Sequence, residues 1–176
     1  MGLKDKIRFK NGKLKVMQIS DLQDTKNTSV DTLRFVDDAI AKVKPDFIII
    51  TGDQLDVVGL WGKGEKAEKN VEIAIRRLFS AIEKHNIPYV LTFGNHDRET
   101  GVPNEFQAKV YATLKNCICF DDTDDGRPDV GTFNVPVRSS DGKSIPLNFF
   151  VMDTHSKTKG VGLEGAVSYT HLRAHE

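Results

Sequence analysis

Apolar residues along the chain alternate between strand-like runs and segments with helical spacing. Residues 14–19 have the pattern of a strand, and residues 32–43 carry apolar positions at helical spacing. Phe47–Ile50 is a continuous apolar run, typical of a strand buried on both faces. A longer helical pattern covers residues 65–85, and a third strand is predicted at residues 88–93. The order βαβαβ predicts an α/β fold with a mostly parallel sheet, right-handed crossovers and helices on its faces.

The rest of the chain predicts one more helix followed by shorter strands. The helix is expected at residues 103–114, and the strands at residues 117–120, 132–137 and 146–152. Ser-Asp-Gly at residues 140–142 favours a hairpin turn between the last two strands. We therefore expect antiparallel strands to be added to the parallel sheet.

Composition and charge narrow the possible partners. The 176 residues are 39% hydrophobic and 28% charged, as expected for one compact domain. Lys and Arg total 25, as do Asp and Glu, so no net field favours a nucleic acid or an anionic membrane. No apolar run has the length of a membrane span, and we expect a cytoplasmic protein. Cys117 and Cys119 should then be buried free thiols, because a disulfide at this spacing would be strained.

Polar clusters follow the first three predicted strands, at residues 20–24, 51–56 and 94–97. The carboxyl ends of parallel strands share one edge of a sheet, where α/β proteins bind ligands. Three distant segments should therefore converge there. Asp21, Asp53 and Asn95 supply oxygen donors for divalent cations, and Gln23 adds an amide oxygen. A carboxylate that bridges two cations would complete a site for in-line attack on phosphorus.

These clusters carry a resemblance to a known family. Asp-x-Gln at residues 21–23, Gly-Asp-x-x-Asp at 52–56 and Gly-Asn-His-Asp at 94–97 resemble the motifs of calcineurin-like metallophosphoesterases, including the branch near purple acid phosphatases. The resemblance covers residues from about 14 to 160. It implies hydrolysis of phosphate mono- or diesters by attack of a metal-bound hydroxide, with a small phosphate ester as substrate and two divalent metal ions as cofactors.

The resemblance also implies a set of metal ligands. Asp21 and Gln23 would hold the first ion, Asp53 would bridge the two ions, and Asn95 would hold the second ion and contact phosphate. Gln23 stands where most relatives have histidine. An amide oxygen is a harder donor than imidazole, so Mn or Mg is favoured over Zn or Fe, with Mn preferred. Asp24 is a fallback ligand.

The three residues that follow Asn95 would complete the set needed for phosphate ester hydrolysis. By the same resemblance, His96 is the general acid that protonates the leaving oxygen, and Asp97 orients its ring. Arg98 is expected to reach a phosphate oxygen. Asp56 is interpreted as a supporting or capping residue, and Trp61 lies in a glycine-containing loop expected near the mouth of the site.

The chain departs from the family pattern in its second half. Relatives add histidines there, including a Gly-His-x-His pair, and no such pair occurs in this sequence. We expect a phosphoesterase domain at residues 1–165 whose C-terminal half is missing, followed at 166–176 by a non-native tail that resembles translated adapter DNA. His155 is a weak candidate for the site. This chain should then be inactive, and the alternative function is a silent fragment that binds phosphate or one metal weakly.

Two further expectations concern surfaces. The acidic segment at residues 121–126 is interpreted as a solvated turn, since it lacks the final Glu of a calcium-binding EF-hand loop. A missing second half would also leave one face of the sheet uncovered. We therefore expect Phe133, Phe149 and Phe150 to be exposed.

Overall fold

The computed structural model describes residues 7–56, 60–119 and 130–154. Its elements confirm a mixed α/β fold, with a parallel sheet, helices and an antiparallel strand pair. In chain order they are β1 (Val16–Ile19), α1 (Val30–Val43), β2 (Phe47–Ile50), α2 (Glu65–Glu83), β3 (Tyr89–Leu91), a 3-10 helix (Asp97–Thr100), α3 (Asn104–Ala112), β4 (Phe133–Val137) and β5 (Leu147–Val151).

The parallel sheet has the order β1-β2-β3, with β2 in the centre. Ile50 is the last residue of β2, and it pairs with Ile19 on one side and Leu91 on the other. Each of these partners is also the last residue of its strand. The three strands therefore end level, and the loops that follow them start at the same edge of the sheet.

The helices pack against one face of this sheet. Side chains alternate along a strand, so Ile48 and Ile50 face the opposite side from Phe47. Tyr89 is paired with Ile48, and its ring lies 5.6 Å from that of Phe79 in α2. This contact places α2 on the Ile48 face, and α2 in turn packs against α1 and α3.

The β4–β5 hairpin lies against the other face of the sheet. The Phe149 ring in β5 is 5.9 Å from the Phe47 ring in β2. Phe149 and Phe133 are partly buried against the core, whereas Phe150 is 74% exposed. The exposure expected from the sequence is therefore confirmed for Phe150 and wrong for the other two, because the hairpin itself covers part of this face.

Two local features differ from the sequence interpretation. The strand expected at residues 117–120 is reduced, in the part that is described, to one parallel bridge between Cys117 and Tyr89. The 3-10 helix was not expected. Cys117 and Cys119 are buried free thiols, as predicted, and burial raises the pKa of the Cys119 thiol. None of the helices in the described ranges is both long and apolar enough to cross a membrane.

Candidate metal and phosphate site

The loops that follow β1 and β2 run side by side and are joined by backbone hydrogen bonds. The Asp21 N–H donates to the Gly52 carbonyl at 3.1 Å, and the Gln23 N–H donates to the Asp53 carbonyl at 3.0 Å. Asp21, Gln23 and Asp53 have positive φ angles of 56°, 41° and 55°. Such left-handed backbone costs on the order of 1–3 kcal/mol per residue and persists where neighbouring contacts fix it. Here the two loops fix each other.

The loops that follow β2 and β3 approach each other closely at two glycines. A Cβ atom on Gly52 would lie 2.5 Å from the Gly94 nitrogen. A Cβ atom on Gly94 would lie 2.6 Å from the Asp53 nitrogen and closer still to the Asp53 carboxylate. Any side chain at either position would push the loops apart. The glycine of each motif therefore brings Asp53 next to the loop that carries Asn95.

The Asp97 carboxylate links the loops that follow β2 and β3. Its buried carboxylate accepts hydrogen bonds from four backbone N–H groups, at 2.8 Å from Gly94, 2.9 Å from Asp53, 2.9 Å from Gln54 and 3.2 Å from Leu55. Burial raises the pKa of Asp97 to about 6, and the hydrogen bonds from the Gly94, Leu55 and Asp53 N–H groups oppose the shift. The expectation that Asp97 orients the His96 ring is wrong, because its oxygen atoms are engaged with the backbone.

A different carboxylate contacts the His96 ring. Nδ1 of His96 lies 2.7 Å from Oε2 of Glu99, and this hydrogen bond raises the pKa of the ring. The His96 backbone N–H donates to Oδ1 of Asp53 at 2.9 Å. Sequence reasoning missed Glu99. The available signal was its position three residues after His96, which brings two side chains together only if the intervening segment is helical.

A cleft of about 450 Å³ opens at this edge of the sheet. Asp21, Asp53 and Asn95 all line it, so the structure brings together three of the four expected metal ligands. Asp53 is buried, while Asp21 is exposed and accepts a hydrogen bond from the Ser20 hydroxyl. Four hydroxyl groups, Gly94 and an apolar wall complete the lining: Ser20, Thr51, Thr92 and Thr154, then Gly94, then Ile49, Phe93, Phe149, Phe150, Val151 and Met152.

The remaining expected site residues lie outside the cleft lining. Gln23 and Arg98 are exposed, His96 is half-buried, and none of the three lines the cleft. The ligand role of Gln23 and the phosphate contact of Arg98 therefore stay predictions. His155, the acidic segment and the C-terminal tail lie outside the described residues. Thr154, the residue before His155, does line the cleft.

Asp24 has a structural role that argues against it as the fallback ligand. Its side chain is buried and accepts hydrogen bonds from the Thr25 N–H at 2.7 Å and the Ser29 N–H at 3.1 Å. Ser29 is the N-cap of α1, and its hydroxyl accepts a hydrogen bond from the Asp31 N–H. Asp24 thus fixes the start of α1, and its oxygens face the backbone.

Trp61 also has a structural role. It is buried, its indole N–H donates to the Asp56 carbonyl at 2.9 Å, and it does not line the cleft. The cleft lining therefore does not support the interpretation that Trp61 lies at the mouth of the site. The Asp56 N–H donates to the Asp24 carbonyl at 2.9 Å, which agrees with a supporting role for this residue.

The set of donors in the cleft is small, and it fits a hard divalent cation. Two carboxylates and one amide offer only oxygen, which suits Mg²⁺ or Mn²⁺ better than a softer ion. Among the described residues, no group of three or more His, Cys, Asp or Glu side chains is arranged to hold a metal. Mg²⁺ commonly keeps several water ligands, so an ion of this kind can bind with few protein ligands.

The fold is that of an α/β protein, with Asp21, Asp53 and Asn95 lining one cleft at the carboxyl edge of a parallel sheet. The chain belongs to the calcineurin-like phosphoesterase family, whose model matches residues 14–172. Membership indicates metal-dependent phosphoester hydrolysis as the chemistry of the class. The family's metals are generally two divalent ions.

Two relatives have phosphatase names, and one of these names includes the words "Probable inactive". The chain is 28% identical over 183 residues to "Probable inactive purple acid phosphatase 14" of Arabidopsis thaliana, covering 87% of this chain and 43% of the relative. It is 23% identical over 164 residues to "Phosphatase DCR2" of Saccharomyces cerevisiae, covering 82% and 27%. The chain spans less than half the length of each relative. No solved structure matches it.

Proposed function

We propose that the cleft is the site of a metal-dependent phosphoesterase that acts on small phosphate mono- or diesters. The observation that carries this proposal is the convergence of Asp21, Asp53 and Asn95, from three separate loops, on one cleft. Hydrogen bonds and close glycine contacts between the three loops support the proposal, because they hold Asp21, Asp53 and Asn95 near one another. Family membership supplies the reaction class.

Each donor has a proposed role in holding the ions. Asp53 is the bridge, because it follows the central strand and lies between the other two loops. Asp21 holds the first ion, with Gln23 as a further ligand, and Asn95 holds the second ion and contacts phosphate. Two bound divalent ions would offset the charge of the phosphate and lower the pKa of a water molecule. The all-oxygen donor set favours Mn²⁺ among Mn, Fe, Zn and Mg.

The segment after Asn95 handles the leaving group. His96 is proposed as the general acid that protonates the leaving oxygen, and Arg98 as a contact to a phosphate oxygen. Asp97 supports these two roles indirectly. Its carboxylate accepts four backbone hydrogen bonds, which fix the loops that carry Asp53 and Asn95.

A second candidate function is a catalytically silent protein that binds phosphate or one metal weakly. Two observations favour it: the described residues offer no group of three His, Cys, Asp or Glu ligands, and one relative has "inactive" in its name. Binding without turnover would separate this function from catalysis.

The test combines Mn²⁺ binding by calorimetry with hydrolysis of nitrophenyl phosphate and bis(nitrophenyl) phosphate, before and after chelation. The phosphoesterase predicts turnover that chelation removes and Mn²⁺ restores. Asp53→Asn should abolish binding of at least one ion, whereas Asp38→Asn, an exposed aspartate on α1, should change nothing. Binding without turnover favours the silent protein, and unchanged binding in Asp53→Asn would refute the bridge.

A further inference from the structure

We propose that Glu99 is a positioning residue for His96, which it holds in the orientation and tautomer that direct Nε2 toward the leaving group. The inference deepens the proposed function and rests on it. The observation is the 2.7 Å contact between Nδ1 of His96 and Oε2 of Glu99. Because this contact engages one ring nitrogen, it determines which nitrogen remains for substrate.

The local backbone explains why these two side chains meet. His96 is the N-cap of the 3-10 helix Asp97–Thr100, and the Glu99 N–H donates to the His96 carbonyl at 2.9 Å. A 3-10 helix has three residues per turn, so side chains at positions i and i+3 lie one above the other. The backbone therefore brings these two side chains together.

The 3-10 helix is itself firmly anchored. The Asp97 carboxylate accepts four backbone N–H groups, and the Asp97 carbonyl accepts the Thr100 hydroxyl at 2.9 Å and the Gln107 amide at 2.7 Å. Asp97, Thr100 and Gln107 are all buried. The helix thus presents His96 and Glu99 from a fixed base.

The proposed proton transfer depends on the different partners of the two ring nitrogens of His96. In the protonated ring, Nδ1–H donates to the Glu99 carboxylate, which leaves Nε2–H to serve the leaving oxygen. When the ester bond breaks, the Nε2–H bond also breaks and its proton forms an O–H bond on the leaving group. The ring is left neutral with its remaining proton on Nδ1, where Glu99 still accepts it.

The same contact contributes little to stability. The His96 and Glu99 side chains are 34% and 37% exposed, and exposed ion pairs typically contribute about 0–1 kcal/mol. Loss of Glu99 should therefore alter the ring without weakening the fold. Glu72 provides a matched control, because its side chain is 42% exposed and pairs with Arg76 one helical turn away.

The direct test is nitrogen-15 NMR of the His96 imidazole in the metal-free chain, at alkaline pH where the ring is neutral. The His96 signals are assigned by their absence in His96→Gln. We expect the Nδ1–H tautomer in the starting protein and in Glu72→Ala. Glu99→Ala should shift the ring toward the Nε2–H tautomer that unpartnered histidine prefers. An unchanged tautomer in Glu99→Ala would overturn the proposal.

A kinetic test measures the coupling between the two residues. Glu99→Ala should slow hydrolysis of an alkyl phosphate by roughly 10–100-fold, as loss of a histidine's orienting partner typically does, and slow a nitrophenyl ester much less. Adding Glu99→Ala to His96→Ala should cause no further loss, because the two residues act as one unit. Additive losses would contradict positioning. Absence of metal-dependent turnover would instead count against the proposed function, while the NMR result would still decide the role of Glu99.

Discussion

Aspartates close together in the sequence have different roles at this site. Asp21 and Asp53 line the cleft, although Asp53 also accepts the His96 N–H, while Asp24 and Asp97 lie outside the lining and use their carboxylates to accept backbone N–H groups. A motif identifies where carboxylates cluster at strand ends. It does not show which ones face solvent, because that depends on loop backbone angles such as the positive φ of Asp21 and Asp53.

Replacement of Asp24 tests this division of roles. Asp24→Ala would leave the Thr25 and Ser29 N–H groups without their acceptor, and loss of each part-buried hydrogen bond should cost about 0.5–1.5 kcal/mol. We expect a lower free energy of unfolding in urea and unchanged Mn²⁺ affinity. Asp31→Ala, which removes an exposed carboxylate from the first turn of α1, should cost less. If Asp24→Ala lost a bound Mn²⁺ ion but kept its full free energy of unfolding, Asp24 would be a metal ligand after all.

At the scale of elements, continuous or strongly periodic segments were predictable. The strand Phe47–Ile50 agrees at both ends, and the long helix begins at residue 65 as expected and ends two residues earlier. The 3-10 helix Asp97–Thr100 was not predictable, because its four residues carry no periodicity. It depends instead on tertiary hydrogen bonds to Asp97.

The contact between Gly94 and Asp53 gives a prediction for the loops as a unit. Gly94→Ala should force the loops after β2 and β3 apart, since its Cβ atom would overlap Asp53. Overpacking of this kind costs about 1–3 kcal/mol, and it should also weaken Mn²⁺ binding because Asp53 must move. Calorimetry and urea unfolding measure the two effects.

Gly101→Ala is the control for that substitution. Gly101 has a φ of 78° and open space around its Cβ position, so alanine there should cost about 1–2 kcal/mol of backbone strain and leave Mn²⁺ binding unchanged. Equal metal binding by both variants would mean that the close approach does not position Asp53.

At the scale of the whole molecule, the sheet has two unequal faces. Helix α2 covers the Ile48 face, while β5 covers only part of the opposite face, where Ile49 lines the cleft. The convergence of Asp21, Asp53 and Asn95 was predictable because it follows from level parallel strands. The contributions of Thr154 and Glu99 were not, since one depends on how the hairpin docks and the other on an anchored 3-10 helix.

The exposed part of β5 leads to a prediction about association. Phe150 in β5 and Met152, the residue after the end of β5, are 74% and 59% exposed, and both line the cleft. Contiguous exposed apolar surface on a strand favours contact between molecules. Phe150→Thr should therefore reduce concentration-dependent association in sedimentation velocity, with Thr chosen because it suits a strand.

Phe35 is the control position. It is 73% exposed on α1, where Arg34, Asp38 and Lys42 lie near it, so Phe35→Thr should leave association unchanged. Equal association of both variants and the starting protein would show that β5 is not the contact.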